Sequence, residues 1–128
     1  KMFIEKEVKT LYDKITDDDF ASDSKLRYLK NKINKYGLLY INVSELNYLY
    51  AKNGKKVIYD LQLLKNLLHN NGIGYTSIIR KIGIPKATLS KLLNNDRNVK
   101  LLQLNILFNR LNKVYNLNID KHTIKREV

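Results

Sequence analysis

Apolar residues recur at the helical period along most of the chain. Ile4, Val8, Leu11 and Ile15 follow at steps of four, three and four, which predicts a first helix with one apolar stripe. Thr16-Asp17-Asp18-Asp19 should end it, because short polar side chains compete for the backbone. Ser22 or Asp23 is placed to cap a second helix. Leu26, Leu29, Ile33 and Tyr36 form its expected buried stripe, and Gly37 stops it. From Asp60 the pattern strengthens. Leu61, Leu64, Leu67 and Leu68 share a helix face that ends at Asn70-Asn71-Gly72. Leu101, Leu104, Phe108, Leu111 and Tyr115 define a longer helix, whose seam is buried either in its own core or against a twin.

Residues 38–60 are ambiguous. Leu38-Leu39-Tyr40-Ile41-Asn42-Val43 is β-prone, and Asn53-Gly54 is the strongest short hairpin dipeptide. A small β-hairpin or short sheet around 38–60 is the preferred reading. The competing reading is a helix over 44–51 capped by Ser44, followed by a loop at Asn53-Gly54. Tyr40, Tyr48, Tyr50 and Tyr59 fall in this stretch. Such tyrosines more often pack core and rim than stack on bases. The fold class expected is mainly α: a helical bundle containing a helix-turn-helix, with or without that sheet.

Charge changes the picture. The chain has 128 residues and a net charge of +12. Residues 1–24 hold seven acids and four lysines, whereas residues 61–128 hold twelve Lys or Arg and three acids. A domain this basic repels itself unless it meets a polyanion, so nucleic acid is the leading partner class, ahead of an anionic membrane surface. Asn occurs 16 times, so AT-rich coding offers a blander account of the lysines, but not of the scarcity of acids after Asp60. Cys is absent from the sequence, which removes disulfides, cysteine-ligated zinc and thiol catalysis, and fits a reducing cytosol. No apolar run approaches the roughly 20 residues of a membrane span. The start, Lys1-Met2-Phe3-Ile4-Glu5, lacks the look of a signal peptide, and a leading Lys suggests a trimmed or longer chain.

Tyr75 to Asn94 is the most informative stretch. A short helix ends in Lys81-Ile82-Gly83, where Gly83 supplies the positive φ for a sharp reversal. Pro85 then sets φ for the first turn of a second helix. Ile78, Ile82, Ile84, Leu89 and Leu92 are placed to pack the pair together and against the helix at 61–70. This is the arithmetic of a helix-turn-helix. Over about 61–117 the chain resembles the Cro/phage-repressor type of helix-turn-helix domain. The resemblance rests on the Leu-rich leading helix, the turn glycine, the phrase Gly83-Ile84-Pro85-Lys86-Ala87-Thr88-Leu89-Ser90-Lys91-Leu92-Leu93-Asn94, the Asn-rich loop and the closing apolar helix. One position departs from it. Four residues before the turn glycine the family usually has Ala, and this chain has Ile79, which implies a more widely spaced helix pair or a weakened motif.

The resemblance implies sequence-specific binding of double-stranded DNA, action as a homodimer on two half-sites, and transcriptional control as a repressor of a phage or other mobile element working at the nucleoid in the cytoplasm. It implies DNA-base contact by Lys86, Ala87, Ser90, Lys91 and Asn94, on the outer face of the second helix. It implies phosphate contact by Tyr75 and Thr76 at the start of the first helix, and by Arg97, Asn98 and Lys100 in the following loop. Residues 1–60 lie outside the resemblance. They read as a dimerisation or protein-partner module, residues 61–120 as the repressor-like domain, and 121–128 as a basic tail that frays or touches phosphate.

Other residues point to no chemistry. His69 and His122 stand apart, and Asp17-Asp18-Asp19 lacks the spacing of a calcium loop. No phosphate-binding loop, dinucleotide fingerprint or catalytic triad order appears, so neither an enzyme nor a cofactor is expected. Two rival functions follow from the same residues. One is a phage- or plasmid-encoded protein that uses a repressor-like scaffold to bind or inhibit a nuclease or other protein. The other is a nucleic-acid-binding accessory module of a replication or recombination protein.

Overall fold

The structure, a computed structural model, describes residues 3–94 and 96–128; Asn95 of the Asn-rich loop lies outside the described residues. It is mainly helical, with eight α-helices and one two-stranded antiparallel sheet among those residues. In chain order these are α1 (Phe3–Asp13), α2 (Asp17–Ser22), α3 (Ser24–Tyr36), a short 3-10 turn (Leu38–Tyr40), α4 (Val43–Lys52), β1 (Val57–Tyr59), α5 (Leu61–Asn70), α6 (Tyr75–Ile82), α7 (Lys86–Leu93), α8 (Leu101–Tyr115) and β2 (Lys125–Glu127).

The apolar stripes go where their periods point. Ile4, Val8 and Leu11 of α1, Leu26, Leu29 and Ile33 of α3, Leu61, Leu64 and Leu68 of α5, and Leu101 to Leu111 of α8 join one buried cluster. That cluster takes side chains from both halves of the chain, so the seam of α8 is covered by its own core. Tyr36 is the exception: expected in the buried stripe of α3, it is 54% exposed.

Three local expectations are corrected. Thr16 to Asp19 does not simply end α1. The Thr16 hydroxyl accepts from the Asp19 N–H and starts α2, whose first turn carries Asp17, Asp18 and Asp19 where the helix dipole favours acids. Asp23 then caps α3 through the N–H groups of Lys25 and Leu26. The stretch 38–52 forms no hairpin. Asn42, not Ser44, caps α4, and its pairing with Glu45 is reciprocal: Asn42 Oδ1 accepts from the Glu45 N–H, and Glu45 Oε1 accepts from the Asn42 N–H. Asn53-Gly54 ends that helix rather than turning a hairpin, with the Asn53 side chain donating to the carbonyls of Leu49 and Leu11.

The strand at 57–59 pairs with the far end of the chain instead. Val57, Ile58 and Tyr59 face Glu127, Arg126 and Lys125. The C-terminal segment is thus tied down rather than frayed. Lys125 Nζ lies 2.7 Å from Glu7 of α1, and Arg126 Nε lies 2.7 Å from Asp60, the N-cap of α5. Asn112 adds a clamp, its amide bonding both the N–H and the carbonyl of Ile119. No helix among the described residues is long and apolar enough to cross a membrane.

Candidate nucleic-acid interface

Two short helices, α6 and α7, are joined by Gly83, Ile84 and Pro85. Gly83 adopts φ 72° and ψ 27°, the left-handed conformation that a side chain would strain. Pro85 stands at the N-cap of α7, one position earlier than the first turn. Ile78, Ile82, Ile84, Leu89 and Leu92 are all buried. The packing is crossed rather than sequential: α7 leans chiefly on α5, and α6 on α8. Ile79 is half-buried against the core. Arg110 of α8 donates to the Ile82 carbonyl at 3.3 Å and so satisfies the C-terminal end of α6.

Burial of Leu89 and Leu92 fixes the roll of α7. At 100° per residue, Lys86, Ala87, Ser90, Lys91 and Asn94 occupy an arc of about 140° on the opposite side. Lys86, Ala87, Lys91 and Asn94 are exposed and Ser90 is half-buried. Asn94 Nδ2 donates to Ser90 Oγ at 3.1 Å, so these two polar groups are linked along the arc.

The residues expected on phosphate divide. Thr76 is exposed at the start of α6. The hydroxyl of Tyr75 donates to the Lys86 carbonyl at 3.2 Å, so its proton ties the two helices together. Arg97 and Asn98 are exposed in the loop after α7. That loop is held from behind: the Arg97 carbonyl accepts from the Ser44 N–H, and the Val99 carbonyl from the Val43 N–H. Asp96 stiffens it further by accepting from the Asn98 N–H at 2.9 Å. Lys100 is half-buried, its ammonium 3.8 Å from the centre of the Tyr40 ring. A hydrogen bond with the Lys100 ammonium, and after it the charge of Lys100, holds the Tyr40 phenol below its ordinary value. The sequence offered no signal for this contact, because Tyr40 and Lys100 are brought together by backbone pairing of residues 41–44 with 97–101, far apart along the chain.

The electrostatics of this face are one-sided. Five ion pairs occur among the described residues, and all their members lie at or before Asp60 or at Lys125 and Arg126. Residues 61–124 contain ten Lys or Arg against Asp96 and Asp120. Such a surface attracts polyanions. No family model, curated protein or solved structure matches this chain.

Proposed function

We propose that this protein binds double-stranded DNA through α7 and acts as a sequence-specific transcriptional regulator of the repressor type. One observation carries the reading. After a left-handed glycine turn, α7 is anchored by buried Leu89 and Leu92 and turns Lys86, Ala87, Ser90, Lys91 and Asn94 outward, with no ion pair to its lysines among the described residues. An exposed helix of this kind fits the major groove, whose floor displays distinct donor and acceptor patterns. In this reading Lys86 and Lys91 donate to guanine O6 and N7, Ser90 and Asn94 supply adaptable hydrogen bonds, and Ala87 touches a thymine methyl. Thr76, Arg97 and Asn98 hold phosphates on either side, and Tyr75 supports Lys86 from within. Lysines meeting phosphate release counterions, so affinity falls with salt. Two copies acting as a homodimer would set two α7 helices about 34–36 Å apart on successive half-sites. A protein with this role would work in the cytoplasm, at the nucleoid.

Selection of bound sequences from a pool of random duplexes tests the reading. The expected result is an enriched motif, palindromic if the protein acts as a symmetric dimer. A pool that stays random after repeated rounds would count against sequence-specific regulation.

A further inference from the structure

We propose that the shallow concavity between α3 and Tyr40 is a second nucleic-acid site, which takes an unpaired strand by stacking its bases on Tyr28 and Tyr36. Of the nine tyrosines, only these two are exposed, at 58% and 54%. They lie eight residues apart on α3, about 12 Å along its axis and about 80° apart around it; Tyr36 continues the stripe of Leu29 and Ile33 but emerges past the edge of the core. With Asn31, Lys32, Lys35 and Tyr40 they line a shallow concavity of 490 Å³ that has no acid in its wall. Tyr40 stacks on Tyr36, ring centres 4.5 Å apart and planes within 23°.

Cations are distributed among these rings. The ammonium of Lys35 lies 5.1 Å from the Tyr36 ring, that of Lys32 lies 5.7 Å from the Tyr28 ring, and that of Lys100 lies on Tyr40. Lys32 is also fixed by Glu45, 2.9 Å away, so its stem braces the platform. Lys35 and Lys100 form no ion pair among the described residues, which leaves them to meet phosphate. The helix itself carries five Lys or Arg and no acid.

Stacked aromatics interleaved with cations match one ligand chemistry closely: flat heteroaromatic bases strung on a polyanion. A duplex hides its base faces, so an unpaired strand is the form that can use the tyrosines. The site is distinct from the α7 arc, although Lys100 places its edge beside the loop that follows α7.

Fluorescence anisotropy of labelled oligothymidine and oligouridine of about 12 nucleotides provides the test. An abasic strand of the same length and charge serves as the comparison, all measured with the full chain. Either base-bearing strand should bind at least tenfold tighter than the abasic one. Tyr28→Ala/Tyr36→Ala should lose tenfold or more of that affinity, while Tyr28→Phe/Tyr36→Phe should retain it. Circular dichroism should show both variants folded, since the two rings are exposed. Equal binding of the base-bearing and abasic strands would overturn the proposal, as would an alanine variant that binds like the parent. Competition by a polyglutamate peptide that matches oligothymidine would also overturn it, in favour of a protein ligand. None of these readouts depends on duplex binding, so failure here leaves the role of α7 standing, and the reverse.

Discussion

Two stretches of this protein look alike as sequence and differ as structure. Lys121 to Arg126 and Lys81 to Lys91 are both short, basic and nearly free of acids. In the first, the fold brings a carboxylate to each of the last two cations: Glu7 to Lys125 and Asp60 to Arg126. In the second, Lys86 and Lys91 stand on an exposed helix face and form no ion pair among the described residues. Clustered positive charge is thus structural where the topology returns an acid to it, and free for a partner where it does not. This is why the C-terminal stretch is a poor candidate for phosphate binding, whereas α7 is a good one.

If the contrast holds, substitutions should separate cleanly by stability. The largest loss is expected for Tyr59→Ala, about 3–5 kcal/mol by denaturant unfolding. Tyr59 is fully buried, packs beside Tyr50 and donates its hydroxyl proton to Glu7. Glu7→Gln should cost about 1.5–3 kcal/mol at neutral pH, as expected for hydrogen bonds to a charged group.

That cost should depend on pH. Burial alone would raise the Glu7 carboxyl, but the Lys125 ammonium and the Tyr59 hydroxyl outweigh it and hold the group below its ordinary value. A group lowered by folding stabilises fully above its unfolded value, about 4.3, and loses that contribution as pH falls through the folded value. The gap between parent and Glu7→Gln should therefore close in acid, which unfolding curves at pH 7 and pH 3 would reveal. Asp23 and Asp60 add to the acid sensitivity with the same sign. Asp23 is held down by Lys52 and Tyr48. Asp60 is raised by burial but lowered further by Arg126 and by the Gln62 N–H.

Asp60→Ala removes a helix cap together with its bond to Arg126, and about 1–2 kcal/mol should be lost. The smallest effect is expected for Lys86→Ala/Lys91→Ala, within about 0.5 kcal/mol, because both side chains are exposed and neither forms an ion pair among the described residues. A large loss in that variant would erase the distinction between the two basic stretches.

Much of this arrangement was legible in the order of residues. Period and punctuation located α1, α3, α5, α6, α7 and α8, and Gly37 and Gly83 fall where the chain must leave a helix with positive φ. Hidden from it were pairings across long separations. Nothing near Val57-Ile58-Tyr59 announces Lys125-Arg126-Glu127 as the partner strand. The pull of Asn53-Gly54 toward a hairpin is equally met by the end of α4, since positive φ at Gly54 suits both. Tyr36 continues the period of Leu26, Leu29 and Ile33, yet α3 reaches the edge of the core before it, and the ring emerges beside Tyr40. At the candidate interface, the outward face of α7 follows from its leucines. The contact of Lys100 with Tyr40 needed the three-dimensional neighbourhood of α4 and the loop after α7.

The central claim is that the unmatched lysines of α7 grip a duplex. Its most direct test is the affinity for duplex DNA across salt concentrations, for the parent and for Lys86→Ala/Lys91→Ala. The account predicts a steep linear fall of log affinity with log salt in the parent, and in the variant a shallower slope with affinity at least about thirtyfold weaker. Slopes and affinities that coincide, or no duplex binding by the parent at low salt, would contradict it.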